Sequence, residues 1–238
     1  NESPRHGEWV KVQGKDRTID SFVVYPEVKD KAHTVVVIHE IFGMTDWVRA
    51  VADRLASEGY IAIAPDLLSG MAPNGGNSAD FRDQTAVRDA IRSLTQDQVA
   101  VDLDAVTDYV IKLPAATGKV SVVGYCWGGE HSFNFATHRK DLQAAFVFYG
   151  SPPRDEAAYQ QINCPIYGFY GGNDNRINAT IPDTEAQMKS AGKTYEYVIY
   201  EGAGHGFLRA GEDPGGPPAN QTAKDEAWDR WIGLLKKM

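Results

Sequence analysis

The stretch from Val120 to Gly129 combines a β-branched run with a cysteine between two glycines, a pattern that could hold a reactive thiol. Its sequence is Val-Ser-Val-Val-Gly-Tyr-Cys-Trp-Gly-Gly, with Cys126 between Gly124 and Gly128. Apolar residues at helical spacing follow, so the pattern predicts a strand, a sharp turn and a helix. That context is required of a nucleophile elbow, in which the side chain at the turn projects into a cleft. A lone cysteine is more often a small buried hydrophobic residue. The flanking glycines and the change from strand to helix favour a nucleophile instead.

A thiol nucleophile needs a base to form the thiolate, and the base needs an acid that fixes its orientation. Asp174 follows the predicted strand 166–171 in a Gly-Gly-Asn-Asp sequence, and His205 follows the predicted strand 195–200 in a Gly-Ala-Gly-His-Gly sequence. Singly, each could be an ordinary turn residue. Together with Cys126 they follow the order nucleophile, acid, histidine, which is the order of the α/β-hydrolase fold. We therefore predict a catalytic triad of Cys126, His205 and Asp174.

The other histidines and the second cysteine are interpreted as structural or solvated. His39 stands at a strand end and could compete as the base, but no acid-bearing loop precedes it in the expected order. Cys164 precedes Pro165 at a strand entrance and is predicted to be an inert thiol. A redox-sensing pair is disfavoured, because a whole predicted strand lies between Cys126 and Cys164. No paired cysteines or His-x-x-x-His spacing occur, and no metal site is predicted.

The oxyanion of an acyl-transfer intermediate needs N–H donors, and two backbone groups are candidates. One is the N–H of Trp127, the residue after the nucleophile. The other is the N–H of Ile41, in the loop that follows the predicted strand 34–39. Both donors belong to the main chain, so substitution of a side chain cannot remove them.

The elements that must position these residues are predicted from periodicity. Residues 8–12 and 19–25 form an antiparallel hairpin around a Gly-Lys-Asp turn. Buried strands are predicted at 34–39, 60–65, 144–149 and 166–171, and further strands at 120–124 and 195–200. Helices are predicted at 46–58, 79–93, 95–113, 130–138, 182–191 and 223–237. Residues 66–79, rich in Gly, Pro and Asn, are predicted to form a loop, in which Gly70, Gly75 and Gly76 are interpreted as a surface turn. Alternating strands and helices predict a doubly wound, mostly parallel sheet with an N-terminal antiparallel hairpin.

Length and charge limit the classes of partner. The 238 residues, 42% hydrophobic and 24% charged, are expected to form one α/β domain over residues 1–238. The net charge of −8, with no basic cluster, excludes nucleic acid as an expected partner. No apolar run approaches the length of a membrane span, so no membrane partner is expected. The sequence starts at Asn1, with no initiating methionine and no apolar signal core, as expected after cleavage of a leader or trimming of the start. Cytoplasmic, periplasmic and secreted locations all stay open.

Three motifs resemble the dienelactone hydrolase family: His-Glu-Ile-Phe-Gly at 39–43, Gly-Tyr-Cys-Trp-Gly-Gly at 124–129 and Gly-His-Gly-Phe-Leu-Arg at 204–209. The similarity spans nearly the whole chain after the first few residues. It implies a single-domain α/β-hydrolase fold, a Cys-His-Asp triad and no cofactor. The implied reaction is the hydrolysis of an enol lactone or related ester, as in a carboxymethylenebutenolidase.

The resemblance also implies roles for residues beyond the triad. Glu40 corresponds to a carboxylate that contacts the resting thiol. Arg82 and Arg209 fall where the family's arginines hold a substrate carboxylate, and Phe42 and Tyr149 are further candidates for substrate binding. The family often has a proline soon after the acid, whereas here Asn-Arg-Ile-Asn follows at 175–178.

The predicted function is the cleavage of a lactone or carboxylic ester by covalent catalysis through a thiolate. The expected partner is a small-molecule ester or lactone that carries a carboxylate, and the expected state is a monomer. One alternative is a broad-specificity esterase with another natural substrate, promiscuous toward activated aryl or phosphate esters. Another is a catalytically silent protein that keeps the fold to bind a ligand.

Overall fold

The computed structural model describes residues 5–238. The expectation about a cleaved leader refers to Asn1, which lies outside the described residues. These residues form an α/β fold with eight strands in one mostly parallel sheet. The strands are β1 (Gly7–Gln13), β2 (Thr18–Val24), β3 (Ala32–Ile38), β4 (Ile61–Pro65), β5 (Ala116–Tyr125), β6 (Leu142–Phe148), β7 (Ile166–Gly171) and β8 (Tyr195–Tyr200). The helices are α1 (Asp46–Ser57), α2 (Gln84–Ser93), α3 (Gln96–Val110), α4 (Trp127–His138), α5 (Asn175–Asn178), α6 (Ile181–Ser190), α7 (Phe207–Ala210) and α8 (Pro218–Leu235). Within residues 5–238, no helix combines the length and apolar composition needed to cross a membrane.

The chain divides into two compact units, one up to Val123 and one from Gly124 to Met238. In the first unit the strand order is β1-β2-β4-β3-β5. There β1 and β2 pair antiparallel, β2 and β4 pair antiparallel, and β3 and β4 pair parallel. In the second unit β6, β7 and β8 are neighbours in that order and pair parallel. The predicted mostly parallel sheet with an N-terminal antiparallel hairpin is confirmed, while the single domain over 1–238 stays a prediction.

Strand burial follows the sequence pattern. The continuous apolar runs of β3 and β4 are buried almost throughout, as expected of strands covered on both faces. Strand β1 is largely exposed, and Trp9 on it keeps 49% of its surface accessible. The hairpin turn closes where Gly14 N–H donates to the carbonyl of Arg17 at 2.9 Å.

Helix α1 shows how a predicted element begins and ends. Its buried face includes Val48, Val51 and Leu55, as the 3.6-residue period predicts. Gly59 follows the helix at φ +97°, a conformation that glycine adopts without a Cβ clash. The N–H of Gly59 donates to the Ala56 carbonyl at 3.1 Å, which satisfies one of the last carbonyls of the helix.

Two predicted helix starts are wrong. The helix predicted at 79–93 begins at Gln84, because the Asp83 carboxylate accepts the Ala86 N–H at 2.9 Å and caps the helix there. The closing helix begins at Pro218 rather than 223, since proline suits the first helical turn, where its missing N–H costs nothing. The short helices α5 and α7 were not predicted, because one turn is too short to show a period.

The predicted loop 66–79 begins with four buried residues, Asp66 to Ser69, whereas Gly70 and Gly75 are exposed. The Arg17 guanidinium donates to the carbonyls of Leu67 at 2.8 Å and Ser69 at 2.9 Å. Arg17 also forms an ion pair with the buried carboxylate of Asp102. Long-range hydrogen bonds of this kind leave no periodic signal in the sequence.

Candidate active site

Cys126 lies between β5 and α4 in a backbone conformation that non-glycine residues rarely adopt, with φ 55° and ψ −116°. Such a conformation costs about 1–3 kcal/mol and persists only where the surrounding structure holds it. Two hydrogen bonds do so: Cys126 N–H donates to the Phe148 carbonyl at 3.0 Å, and the Cys126 carbonyl accepts the Glu130 N–H at 3.1 Å. The turn has the strained geometry of a nucleophile elbow, and Cys126 is half-buried there.

Three glycines allow the close packing around this turn. A Cβ on Gly124 would lie 1.8 Å from the carbonyl oxygen of Gly128. A Cβ on Gly129 would lie 2.6 Å from the Phe148 oxygen, and one on Gly150 would lie 2.3 Å from the Gly129 carbonyl carbon. No side chain fits at these positions, so α4 begins in backbone contact with the end of β6. The sequence motif pointed to Gly124, but nothing in it pointed to Gly150.

The structure brings Asp174 and His205 together. The Nδ1 atom of His205 lies 2.5 Å from Oδ2 of Asp174. The Asp174 side chain is 6% exposed and the His205 side chain 34% exposed. An Nδ1–H that donates to this carboxylate leaves Nε2 as the ring nitrogen that can accept a proton.

Backbone contacts join the loops that carry these two residues. The N–H groups of Gly172 and Asn173 donate to the carbonyls of Tyr200 and Ala203, at 2.7 and 2.9 Å respectively. On the other side of the histidine loop, the Asn220 side chain in α8 accepts the Gly204 N–H at 2.9 Å. Sequence reasoning missed Asn220, because a buried asparagine in a helix gives no local signal of its distant partner.

Tyr149, a predicted substrate-binding residue, directly follows β6 and is fully buried. Its φ of 41° is also in the left-handed region. The tyrosine ring packs edge-on against the His205 ring, with centroids 5.2 Å apart, and against Phe207, with centroids 5.4 Å apart. These contacts pack Tyr149 against the ring of the histidine, and its predicted contact with substrate stays a prediction.

The loop after β3 carries Glu40, Ile41 and Phe42 in the first unit. Glu40 is 3% exposed, whereas Ile41 and Phe42 are half-buried. The Gly43 N–H donates to the Glu40 carbonyl at 3.2 Å, which closes a turn with Ile41 and Phe42 at its centre. The Arg88 guanidinium lies 5.3 Å from the centroid of the Phe42 ring.

Comparison with known proteins places these motifs in a family. Residues 19–238 match the dienelactone hydrolase family, and that range contains all three motifs of the sequence analysis. The chain belongs to the dienelactone hydrolase family. It is thus an enzyme of the lactone and ester hydrolase class.

Individual relatives agree with this assignment. A Salmonella typhimurium protein named "Putative carboxymethylenebutenolidase" is 33% identical over 232 residues, which cover 92% of this chain and 82% of the relative. A carboxymethylenebutenolidase of Pseudomonas putida is 28% identical over 206 residues, covering 85% of this chain and 86% of the relative. The crystal structure of a "Putative Dienelactone Hydrolase" from Klebsiella pneumoniae superposes with a TM-score of 0.85 at 24% identity, over 98% of this chain and 99% of that one. The shared architecture is the α/β-hydrolase fold.

The two arginines that the dienelactone hydrolase resemblance predicted as substrate ligands have different surroundings. Arg82 precedes α2, and 83% of its side chain is exposed, with Nε 3.2 Å from Oδ2 of Asp83. Arg209 lies in α7, four residues after His205, and is half-buried. Their contact with substrate stays a prediction for both residues.

The second thiol of this family member has properties that differ from those of Cys126. Cys164 is buried, and this burial raises the pKa of its thiol to about 12. A thiol with so high a pKa forms almost no thiolate at neutral pH. Within the described chain neither cysteine forms a disulfide, and no group of three or more His, Cys, Asp or Glu side chains could hold a metal ion.

Proposed function

We propose that this chain hydrolyses a lactone or carboxylic ester through a covalent thioester on Cys126, with His205 as base and Asp174 as its orienting acid. The observation that carries the proposal is the 2.5 Å contact between His205 and Asp174. The strained backbone of Cys126, in the same compact unit, supports the assignment of the nucleophile.

The reaction starts with transfer of the Cys126 proton to Nε2 of His205. The sulfur attacks the carbonyl carbon, and the electron pair of the carbonyl π bond moves to its oxygen. Collapse of this oxyanion re-forms the carbonyl and breaks the bond to the leaving oxygen, which takes the proton from the His205 imidazolium. A water molecule deprotonated by His205 then attacks the thioester. Collapse of the second oxyanion releases the acid and expels the Cys126 thiolate, which takes the proton back from the His205 imidazolium and restores the resting thiol.

The proposed oxyanion donors are the N–H groups of Trp127 and Ile41. Trp127 is the first residue of α4, so its N–H lies at the start of that helix. The positive end of the helix dipole favours negative charge there. Loss of one such donor typically costs about 3–4 kcal/mol of transition-state stabilisation.

The proposed substrate carries a carboxylate near the scissile bond. A protein with a net charge of −8 repels anions at long range, so an anionic substrate needs a local cation in the cleft. Arg209 is the stronger candidate for this cation, because it lies in the short helix α7, four residues after His205, and is half-buried. Glu40 is proposed as the acceptor that keeps the resting thiol neutral, through like-charge repulsion of the thiolate.

The test is detection of the acyl-enzyme with an activated aryl ester such as p-nitrophenyl acetate. We expect a burst of one nitrophenol per protein and a mass increase of one acetyl group on the peptide that contains Cys126. Cys126→Ala should lose the burst and about 10⁴–10⁶-fold in kcat. Cys164→Ala is the matched control and should keep both. A Cys126→Ala variant that keeps the acetylation and near-normal turnover would end the proposal.

A further inference from the structure

The Glu40 carbonyl accepts two hydrogen bonds, and together they fix one peptide plane. The Nδ1 atom of His39 lies 2.8 Å from the Glu40 oxygen, and the Gly43 N–H donates to the same oxygen at 3.2 Å. In a planar trans peptide, the carbonyl of one residue and the N–H of the next point in opposite directions. Holding the Glu40 carbonyl therefore sets the direction in which the Ile41 N–H points.

The tautomer of His39 follows from its two partners. The Leu67 N–H donates to Nε2 of His39 at 3.3 Å, so Nε2 is the acceptor. Nδ1 then carries the proton and donates to the Glu40 carbonyl. His39 is completely buried, and this burial lowers its pKa, with the Asp66 carboxylate opposing the change. The ring is therefore neutral, and its two nitrogens are both engaged with the main chain.

The segment that contacts His39 is itself held by hydrogen bonds of the Asp66 carboxylate and the Ser78 hydroxyl. Asp66 accepts the N–H groups of Leu68 and Ser78, at 3.0 and 2.9 Å. The Ser78 hydroxyl donates to Asp66 Oδ1 at 2.7 Å and accepts the Met44 N–H at 3.0 Å. The loop 40–44 is thus attached to the segment 66–78 at both ends, through His39 at one end and Ser78 at the other.

We propose that His39 is a positioning residue, which aims the Ile41 N–H by donating from Nδ1 to the Glu40 carbonyl. The inference rests on the proposed function, because it assumes that the Ile41 N–H is an oxyanion donor. In this role His39 is a positioning residue and does not compete with His205 as the catalytic base. A histidine whose two ring nitrogens both bind the backbone has no position left from which to deprotonate a thiol.

The test compares two amides at position 39. His39→Asn keeps a donor near the place of Nδ1, whereas His39→Gln places its amide near Nε2 and leaves the Glu40 carbonyl without this donor. We expect His39→Gln to lose about 10- to 100-fold in kcat on an activated ester, with little change in KM, since loss of a whole oxyanion donor typically costs 10²–10³ in kcat. His39→Asn should recover most of that loss. Equal kcat values for the two variants would overturn the proposal.

Alkylation of Cys126 by iodoacetamide separates this proposal from the proposed function. Alkylation attacks a saturated carbon and forms no oxyanion, so His39→Gln should react at the wild-type rate while its ester turnover falls. A parallel fall in both rates would show that His39 acts on the thiol or on the fold, and the proposal would fail. The proposed function itself fails separately if alkylated wild-type protein keeps its turnover. His33→Gln, in the strand β3 that precedes His39, is the matched control and should keep normal kcat, because Nε2 of His33 contacts Ser121 at 3.0 Å instead.

Discussion

The Nδ1 atom of His205 lies 2.5 Å from Oδ2 of Asp174, although the two residues are 31 positions apart in the sequence. The contact exists because β7 and β8 are parallel neighbours, so the loops that leave their carboxyl ends lie side by side. Hydrogen bonds between the two loop backbones hold this arrangement. A buried carboxylate in this position favours the tautomer in which Nε2 can accept a proton.

Asp174→Asn tests this relationship directly. An asparagine amide can donate to Nδ1, which favours the tautomer with the proton on Nε2, and that ring cannot accept the thiol proton. We expect kcat to fall by about 10²–10⁴-fold with the fold intact, as measured by steady-state kinetics and thermal unfolding. Asp183→Asn, an exposed aspartate in α6, should leave kcat unchanged. An active Asp174→Asn variant would remove Asp174 from the triad.

Glu40→Gln tests the proposed effect of this carboxylate on the nucleophile. Removing a negative charge near a thiol favours the thiolate, so the pKa of Cys126 should fall. We expect iodoacetamide to alkylate Cys126 in this variant at lower pH than in the wild type, with faster inactivation by peroxide. Glu201→Gln, an exposed residue, serves as the control. Identical pH profiles in Glu40→Gln and wild type would show that Glu40 does not act on the thiol.

Arg209→Ala tests the charge of the substrate. A hydrogen bond between charged partners contributes roughly 1.5–3 kcal/mol, or about 10- to 100-fold in kcat/KM. We expect at least a tenfold loss on a lactone that carries a carboxylate and little loss on a neutral ester of similar size. Both should be measured at one low ionic strength, where screening is weakest.

Two other arginines complete this comparison. Arg92→Ala removes an exposed cation from α2 and should change neither rate. Arg82→Ala, measured alongside, decides whether that exposed residue contributes as the resemblance implies. If Arg209→Ala weakens turnover of the neutral ester as much as that of the anionic lactone, Arg209 supports structure rather than binding a carboxylate.

His33 gives a prediction about stability and pH. Burial, and secondarily the Lys119 charge, lower the pKa of His33 to about 4, from a usual value near 6.5. Its ring also contacts Ser121 and lies edge-on to Tyr60. Between about pH 4 and 6.5 the unfolded chain binds this proton and the folded chain does not. The free energy of unfolding should therefore fall as the pH is lowered through that window.

His33→Gln should remove this contribution, which amounts to at most about 1.4 kcal/mol per pH unit for one proton. The measurement is urea unfolding of wild type and variant at pH 4.5, 5.5 and 7. The variant should lose less stability than the wild type between pH 7 and 4.5. Equal slopes in the two proteins would show that His33 titrates normally in the folded state.

Local sequence patterns were sufficient to predict the strands and most helices. The short, β-branched apolar runs of β3 and β4 favour buried strands, and the apolar residues of α1 recur at helical spacing on one face. The elbow motif is equally local, because Gly124, Gly128 and Gly129 lie within a few residues of Cys126. The helix start at Gln84 was missed because it depends on the single capping side chain of Asp83, and the start at Pro218 was missed because the residues before 223 show no apolar period.

The sequence by itself determined which residue types could do chemistry and on which strand ends they stand, because periodicity and turn residues act over short distances. The tertiary structure alone decided which of them meet. It placed Asp174 against His205, set Gly150 against the start of α4, and attached the Gly204 backbone to Asn220. It also turned both nitrogens of His39 to the main chain. Most of these contacts join residues far apart in the sequence, so the distance between them in space depends on the whole fold. His39 and Glu40 are neighbours in the sequence, but the orientation of the His39 ring still depends on the distant Leu67.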